Sequence, residues 1–191
     1  MSNLISIQND YTAIQFTDLE HARKRASMYM GGLKSVKCTL YKIISTPGFS
    51  DLLCQFKEDC SPAASKLIDE ILSNAVDQHT LTKKSKIWLS FDKSTGECIV
   101  KNDGSCVPLT MSKDQNGKDV PNPELCFGYF RSSSNFYKEK GKDDKSGADL
   151  TGGMNGLGAT LTNAFSKKFT VEIYDAERGL TYMQTWENCM T

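Results

Sequence analysis

Residues 61–78 read S-P-A-A-S-K-L-I-D-E-I-L-S-N-A-V-D-Q. Ser61-Pro62 is a strong helix start, because Ser can cap and Pro at the first helical position gives up an N–H that would lack a partner anyway. From there Ala64, Leu67, Ile68, Ile71, Leu72 and Ala75 recur at i, i+3, i+4, i+7 and i+8. One stripe therefore faces a core, and a helix is predicted from about 62 to 78. At ~100° per residue Glu70, Asn74 and Asp77 share a polar stripe roughly 120° from the centre of the apolar one. That edge is either an exposed charged flank or three metal- or water-handling groups on a helix docked against a sheet.

Outward from this helix, Thr17 to Glu20 (T-D-L-E) matches a capping box, which predicts a short helix from Asp18 to about Ala26. Met28-Tyr29-Met30-Gly31-Gly32 follows, its glycines permitting a sharp turn. Residues 36–45 are predicted as a helix ended by Pro47-Gly48. Ile87, Leu89 and Phe91 alternate with Trp88 and Ser90, and Cys98-Ile99-Val100 follows a turn at Lys93-Ser94-Thr95-Gly96, so this is a β-hairpin. Phe169, Val171 and Ile173 alternate similarly before Arg178-Gly179 turns into 180–186. The result is at least four strands, mostly antiparallel. Residues 131–158 carry glycine and serine with little apolar periodicity and read as a long loop, which in a compact domain is functional or mobile. No internal repeat is visible.

Composition sets the frame. The 191 residues allow one domain, or one plus a fragment. Hydrophobic residues at 39% and charged residues at 24% suit a folded, soluble chain with a real core. Lys plus Arg and Asp plus Glu each number 23, so the formal charge is zero and tight electrostatic binding of DNA by this segment alone is not expected. The mixed-sign run from Lys138 to Lys145 reads as a solvated loop. No apolar run approaches the ~18 residues needed to span a bilayer, and residues 1–10 lack a signal-peptide pattern. The expected setting is cytoplasm or nucleus, with no membrane partner. Seven cysteines, an odd set without a C-x-x-C pair, read as reduced thiols serving mainly as packing residues.

Two loops complete the candidate chemistry. Asn102-Asp103-Gly104 follows the strand at 98–101; a short polar side chain before Gly can lie against a flat ligand such as a purine amine, though N-D-G is also an ordinary turn. Thr151-Gly152-Gly153-Met154-Asn155-Gly156-Leu157-Gly158 leads into 159–165. Glycines let backbone N–H groups converge, and a helix start favours an anion, so the stretch suits a triphosphate. It has neither the G-K-[ST] of a P-loop nor a βαβ unit around it.

Taken in order, the 70–78 box, the 102–104 turn and the 151–158 glycine stretch resemble the ATPase domain of the GHKL superfamily, which includes gyrase, histidine kinases and MutL. Within it the chain resembles the type IIA DNA topoisomerases of the eukaryotic, large-phage or viral branch. The closer likeness rests on Leu19-Glu20-His21 with Arg25, Met28-Tyr29-Met30-Gly31, Phe127-Gly128 before Ser133-Ser134-Asn135, and T-G-G-M-N-G-L-G-A-T-L-T-N-A-F-S from Thr151 to Ser166. The resemblance runs over about residues 11–186. It implies an α+β, two-layer sandwich of the Bergerat type, with a mixed, mostly antiparallel sheet and helices on one face. It also implies an arm at 1–17, an ATP-binding domain at 18–191 and an ATP lid at 131–152.

By the same resemblance Glu70 is the general base acting on the attacking water. Asn74 ligates the Mg2+ that bridges the phosphates of ATP. Asp77 and Gln78 line the pocket, and Asn102 or Asp103 reads adenine. Ser133, Ser134 and Asn135 contact ribose and phosphates, while Gly153, Asn155, Gly156, Leu157 and Gly158 wrap the triphosphate. The implied activity is ATP hydrolysis by the N-terminal gate module of a type II topoisomerase, with dimer closure on ATP through an arm in which Tyr11 or Phe16 reaches the partner's lid. The alternative is a weak or inactive nucleotide-binding fragment acting as an interaction subunit. Several positions depart from the pattern. Cys106 stands for a glycine, Ala26 for a proline, Thr160 for a phosphate-contacting lysine and Met154 for an arginine. The family's second ATPase domain and DNA-cleavage core are not expected within 191 residues, so strand passage, and contact with DNA, would need the remainder of a topoisomerase in cis or trans.

Overall fold

Thr17 Oγ1 accepts from the Glu20 N–H at 3.3 Å, and the Glu20 carboxylate accepts from the Thr17 N–H at 2.9 Å. This is the expected capping box, and it opens helix α1 over Asp18–Lys24. The structure, a computed structural model, describes residues 13–45, 47–48, 50–82, 86–132 and 156–190. The chain leaves helical geometry at Arg25 (φ −121°, ψ 38°), resumes as α2 over Ala26–Met30 and turns at Gly31, whose φ is 77°. His21 Nδ1 and the Tyr29 hydroxyl, 2.8 Å apart, clip the two short helices together.

Residues 36–45 are not helical. Val36–Ile44 is strand β1, paired antiparallel with β2, Leu52–Cys60, in a register running from Val36 opposite Cys60 to Ile44 opposite Leu52. The reason is in the residue types. Val36, Thr39, Tyr41, Ile43 and Ile44 are β-branched or aromatic, stiff at χ1 in a helix and well suited to a pleated ladder. Pro47-Gly48 then falls in the hairpin turn.

Helix α3 occupies Pro62–Thr82, one turn beyond the predicted end. Ser61 Oγ accepts from the Ala64 N–H at 3.4 Å, as the S-P start suggests. The two predicted hairpins are present as β3 (Ile87–Asp92) with β4 (Glu97–Asn102), and, after the intervening elements, as the final pair of strands. Between them lie β5 (Met111–Lys113), β6 (Asp119–Pro121), α4 (Asn122–Gly128) and α5 (Gly158–Ala164), followed by β7 (Lys168–Asp175) and β8 (Leu180–Glu187). Among the described residues the strands pair as four two-stranded antiparallel ladders, β1–β2, β3–β4, β5–β6 and β7–β8. The fold class is α+β, as expected.

The core gathers where the helices meet. Ala22, Ala26, Met30, Ala63 and Leu161 are buried together, with Tyr29, Leu67, Phe130 and Phe165 packed around them. Alanines on α1, α2 and α3 let those helices approach closely, and Leu161 of α5 fills the space between. Phe127, Phe169 and Trp186 form a second contact line, with ring centroids 6.4 and 6.1 Å apart, joining α4 to β7 and β8. α3 packs against β3 and β4 on one side and α5 on another, so one helix carries the candidate residues between a hairpin and a helix start.

Candidate functional site

The position of α5 is set by polar side chains that capture neighbouring carbonyls. Thr162 Oγ1 donates to Leu67 O of α3 at 3.0 Å, Asn163 Nδ2 to Phe127 O of α4 at 2.9 Å, and Thr160 Oγ1 to Tyr129 O at 3.0 Å. Thr160 and Asn163 are buried, where such bonds are needed to offset lost hydration. Thr160, at the position where the resemblance implies a phosphate-contacting lysine, thus faces a backbone carbonyl inside the protein.

These ties bring Gly158 directly onto Glu70. A Cβ at 158 would lie 2.9 Å from Glu70 Cδ and 3.2 Å from Glu70 Cβ, so this approach depends on glycine. Lys66, one turn earlier on α3, forms an ion pair from Nζ to Glu70 Oε1. Its hydrogen bond to Glu70, with the charge attraction that accompanies it, pushes the Lys66 pKa up. Sequence reasoning passed over Lys66, although K-x-x-x-E is the spacing of an i,i+4 helix pair.

The 156–158 backbone is braced from the other side. The Arg131 N–H donates to Gly156 O at 3.0 Å. Gly156 has φ 58°, and a Cβ there would meet the Ser132 carbonyl carbon at 2.7 Å. Arg131 Nη2 reaches Asp18 Oδ1 of α1 at 2.6 Å. Residues 131–132 and 156–158 therefore run side by side, with Glu70 against Gly158.

Asn74 is half-buried one turn beyond Glu70 on α3, and Asp77 and Gln78 are half-buried further along, both engaged in interactions. Asn102 is half-buried at the end of β4, the strand on which α3 packs. Asp103 is used differently. Its carboxylate accepts from the Lys86 N–H, and its own N–H donates to Lys86 O at 3.3 Å, so it closes the open end of the β3–β4 ladder. Phe16 lies under the Lys24 ammonium, 4.8 Å from its ring centroid. Ser133, Ser134, Asn135, Gly153, Asn155, Tyr11 and the body of the 131–152 segment lie outside the described residues.

Among the described residues no three His, Cys, Asp or Glu side chains converge as a metal cluster. A divalent ion held by an amide oxygen, phosphate oxygens and water remains compatible with Asn74, since Mg2+ characteristically keeps several waters and takes few protein ligands. An apolar groove lined by Leu109, Met111, Pro121, Pro123, Leu180 and Tyr182 contains none of the candidate residues.

No protein-family model matches the chain. Known DNA topoisomerase 2 sequences do match. That of Penicillium chrysogenum is 33% identical over 178 residues, 93% of this chain and 10% of that protein. That of Saccharomyces cerevisiae is 32% identical over 188 residues, 98% and 12% respectively, and that of Acanthamoeba polyphaga mimivirus is 30% identical over 173 residues, 90% and 13%. The solved ATPase region of Saccharomyces cerevisiae topoisomerase II aligns with a TM-score of 0.78 and 31% identity, over 94% of this chain and 44% of that one. The ATPase and transducer domains of Balamuthia mandrillaris DNA topoisomerase II give 0.77 and 35%, over 94% and 42%. Fold and sequence together define an ATPase-type domain of the topoisomerase class. The chain belongs to the type IIA DNA topoisomerase family, within its ATPase region. It spans about a tenth of the length of the curated relatives and under half of the solved ATPase-region chains.

Proposed function

We propose that this chain binds and hydrolyses ATP as the N-terminal gate module of a type II DNA topoisomerase. The observation that carries the reading is the α3–α5 junction, where Glu70 meets the glycine-bounded start of α5 in a domain that follows a topoisomerase ATPase region. Backbone N–H groups at Gly156, Leu157 and Gly158 bind the phosphate tail. A phosphate laid there turns the Glu70 carboxylate aside from Gly158 and toward the attacking water, whose proton it accepts. Lys66 holds the carboxylate at the α5 end of α3. Asn74 offers an amide oxygen to Mg2+, which neutralises triphosphate charge so that a carboxylate can work beside it.

Asn102 reads adenine in this account. Its amide both donates and accepts, matching the N1 and 6-amino edge, whereas the Asp103 carboxylate is taken up by Lys86. Asp77 and Gln78 line the pocket. Ser133, Ser134, Asn135, Gly153 and Asn155 complete it from the lid side, the lid being 131–152 and the domain 18–191. ATP binding closes a homodimer through the 1–17 arm. DNA is met only through the remainder of the topoisomerase, in cis or trans. Among the described residues no helix is long and apolar enough to cross a membrane.

A second reading, a nucleotide-binding interaction subunit without turnover, draws on the burial of Thr160, which offers no charge to a phosphate. Phosphate release from wild type and Glu70→Ala, each alone and with the rest of a relative's ATPase region added, separates the two. Gate-module chemistry predicts a loss of ~10²–10⁴-fold in Glu70→Ala. Equal rates in every arm would leave only the interaction subunit.

A further inference from the structure

Residues 129–132 turn the chain out of α4, and the turn is held from two sides. The Ser132 hydroxyl is shared between Leu125 O of α4 and Tyr129 O, the latter at 2.9 Å. Thr160 Oγ1 of α5 donates to the same Tyr129 O at 3.0 Å. Arg131 lies in this turn with φ 62°, a left-handed value that a side chain adopts only at a steric cost glycine does not incur. Such an outlier points to a function for the residue that tolerates it.

Arg131 bonds in two directions. Its N–H donates to Gly156 O at 3.0 Å, and its Nη2 donates to Asp18 Oδ1, in the first turn of α1, at 2.6 Å. One residue thus joins the exit of α4, the backbone that leads into α5, and α1. The contact with 156 is close as well as bonded, since a Cβ on Gly156 would meet the Ser132 carbonyl carbon at 2.7 Å. Thr160, buried and uncharged, braces the same turn from α5.

We propose that Arg131 is a positioning residue for the phosphate-binding backbone: strapped to Asp18, it fixes residues 156–158 against α1 before nucleotide arrives. The inference rests on the reading of 156–158 as the phosphate site. Binding a triphosphate there requires the Gly156, Leu157 and Gly158 N–H groups to converge, and a segment already held in one arrangement loses less freedom in doing so. The strap also predicts a sign that simple charge attraction opposes. Asp18 is negative, so attraction alone makes its removal favour a triphosphate. As the anchor of the strap, its removal weakens binding instead.

The test is the affinity of the full chain for a non-hydrolysable ATP analogue with Mg2+, read from the melting temperature as the analogue is titrated. Wild type, Asp18→Asn, Arg131→Gln and the double variant are compared. Both side chains are exposed, so the variants are expected to fold. Each single variant should weaken binding by about 2–5-fold, the scale of one well-formed exposed ion pair. The double variant should lose no more than Arg131→Gln alone, because the same bond is absent from both. Hydrogen exchange without nucleotide should be faster at the Arg131 N–H in Asp18→Asn, whose bond to Gly156 O has lost its side-chain support. Asp18→Asn binding as tightly as wild type or more tightly, or additive losses in the double variant, would overturn the strap. The exchange measurement separates the two ways of failing. No change at Arg131 in Asp18→Asn overturns the strap whatever nucleotide does, whereas a wild-type melting temperature that nucleotide does not move overturns the phosphate reading.

Discussion

Gly156 and Gly158 sit two residues apart, yet an added methyl group meets different obstacles at each. At 158 it meets the Glu70 side chain, whose Cδ at 2.9 Å can rotate away while its Cβ at 3.2 Å must give slightly; at 156 it meets Ser132 backbone at 2.7 Å and a φ of 58°. Gly156→Ala is therefore expected to cost about 1–3 kcal/mol, because neither the backbone nor the left-handed conformation can yield cheaply. Gly158→Ala should cost less stability than that and act mainly on turnover, by filling the space between α5 and Glu70 that the phosphate tail must enter. Thermal melting of the two variants beside phosphate release checks the contrast. Equal destabilisation with equal loss of turnover would mean that Glu70 does not depend on this contact. Much of this arrangement was legible in sequence as residue types, since Glu70 and the glycines stand out. What could not be read was their juxtaposition, which rests on Thr162 finding Leu67 O and Asn163 finding Phe127 O across separations that no local pattern reports.

Among the elements, α3 was the most legible because its cap, its proline and its apolar spacing agree. The β1–β2 ribbon was the least. Its first strand has apolar residues at intervals that fit either period, and its partner β2 runs into Lys57, Glu58 and Asp59, which dilute any alternation. Pairing decided the outcome, and pairing is non-local. β5, β6 and α4 escaped notice because three- to seven-residue elements offer too few positions for a period to show. The N-terminal cap of α1 carries a pH signature. Backbone and side-chain hydrogen bonds from Thr17 hold the Glu20 carboxyl below its usual range. The ionised form is thus favoured by folding, so its contribution is complete above the ordinary Glu range and disappears as pH falls through the lowered value. Melting curves taken across the acid range should show that loss in wild type and a flatter dependence in Glu20→Gln, which removes the titrating carboxyl but keeps an acceptor for the Thr17 N–H. An unchanged acid profile in Glu20→Gln would show that the cap is not the source.

At the scale of the whole molecule, the buried core among the described residues is small and rich in alanine, including Ala22, Ala26, Ala63, Ala75, Ala159 and Ala164. Tyr41, Ile43, Leu53 and Trp88 remain exposed on the ribbons. A domain with so modest a core has little stability in reserve, and a ligand bound across the α3–α5 junction should register strongly in its melting temperature. Binding at 100 times Kd adds about 2.7 kcal/mol, which for a domain of this size corresponds to roughly 5–10 °C. The most direct test is the melting temperature of the wild-type chain as a non-hydrolysable ATP analogue is titrated in the presence of Mg2+. A nucleotide site at Glu70, Asn74 and the 156–158 backbone predicts a saturable rise of that order, reduced in Asn74→Ala; a melting temperature that does not move at millimolar nucleotide would contradict it.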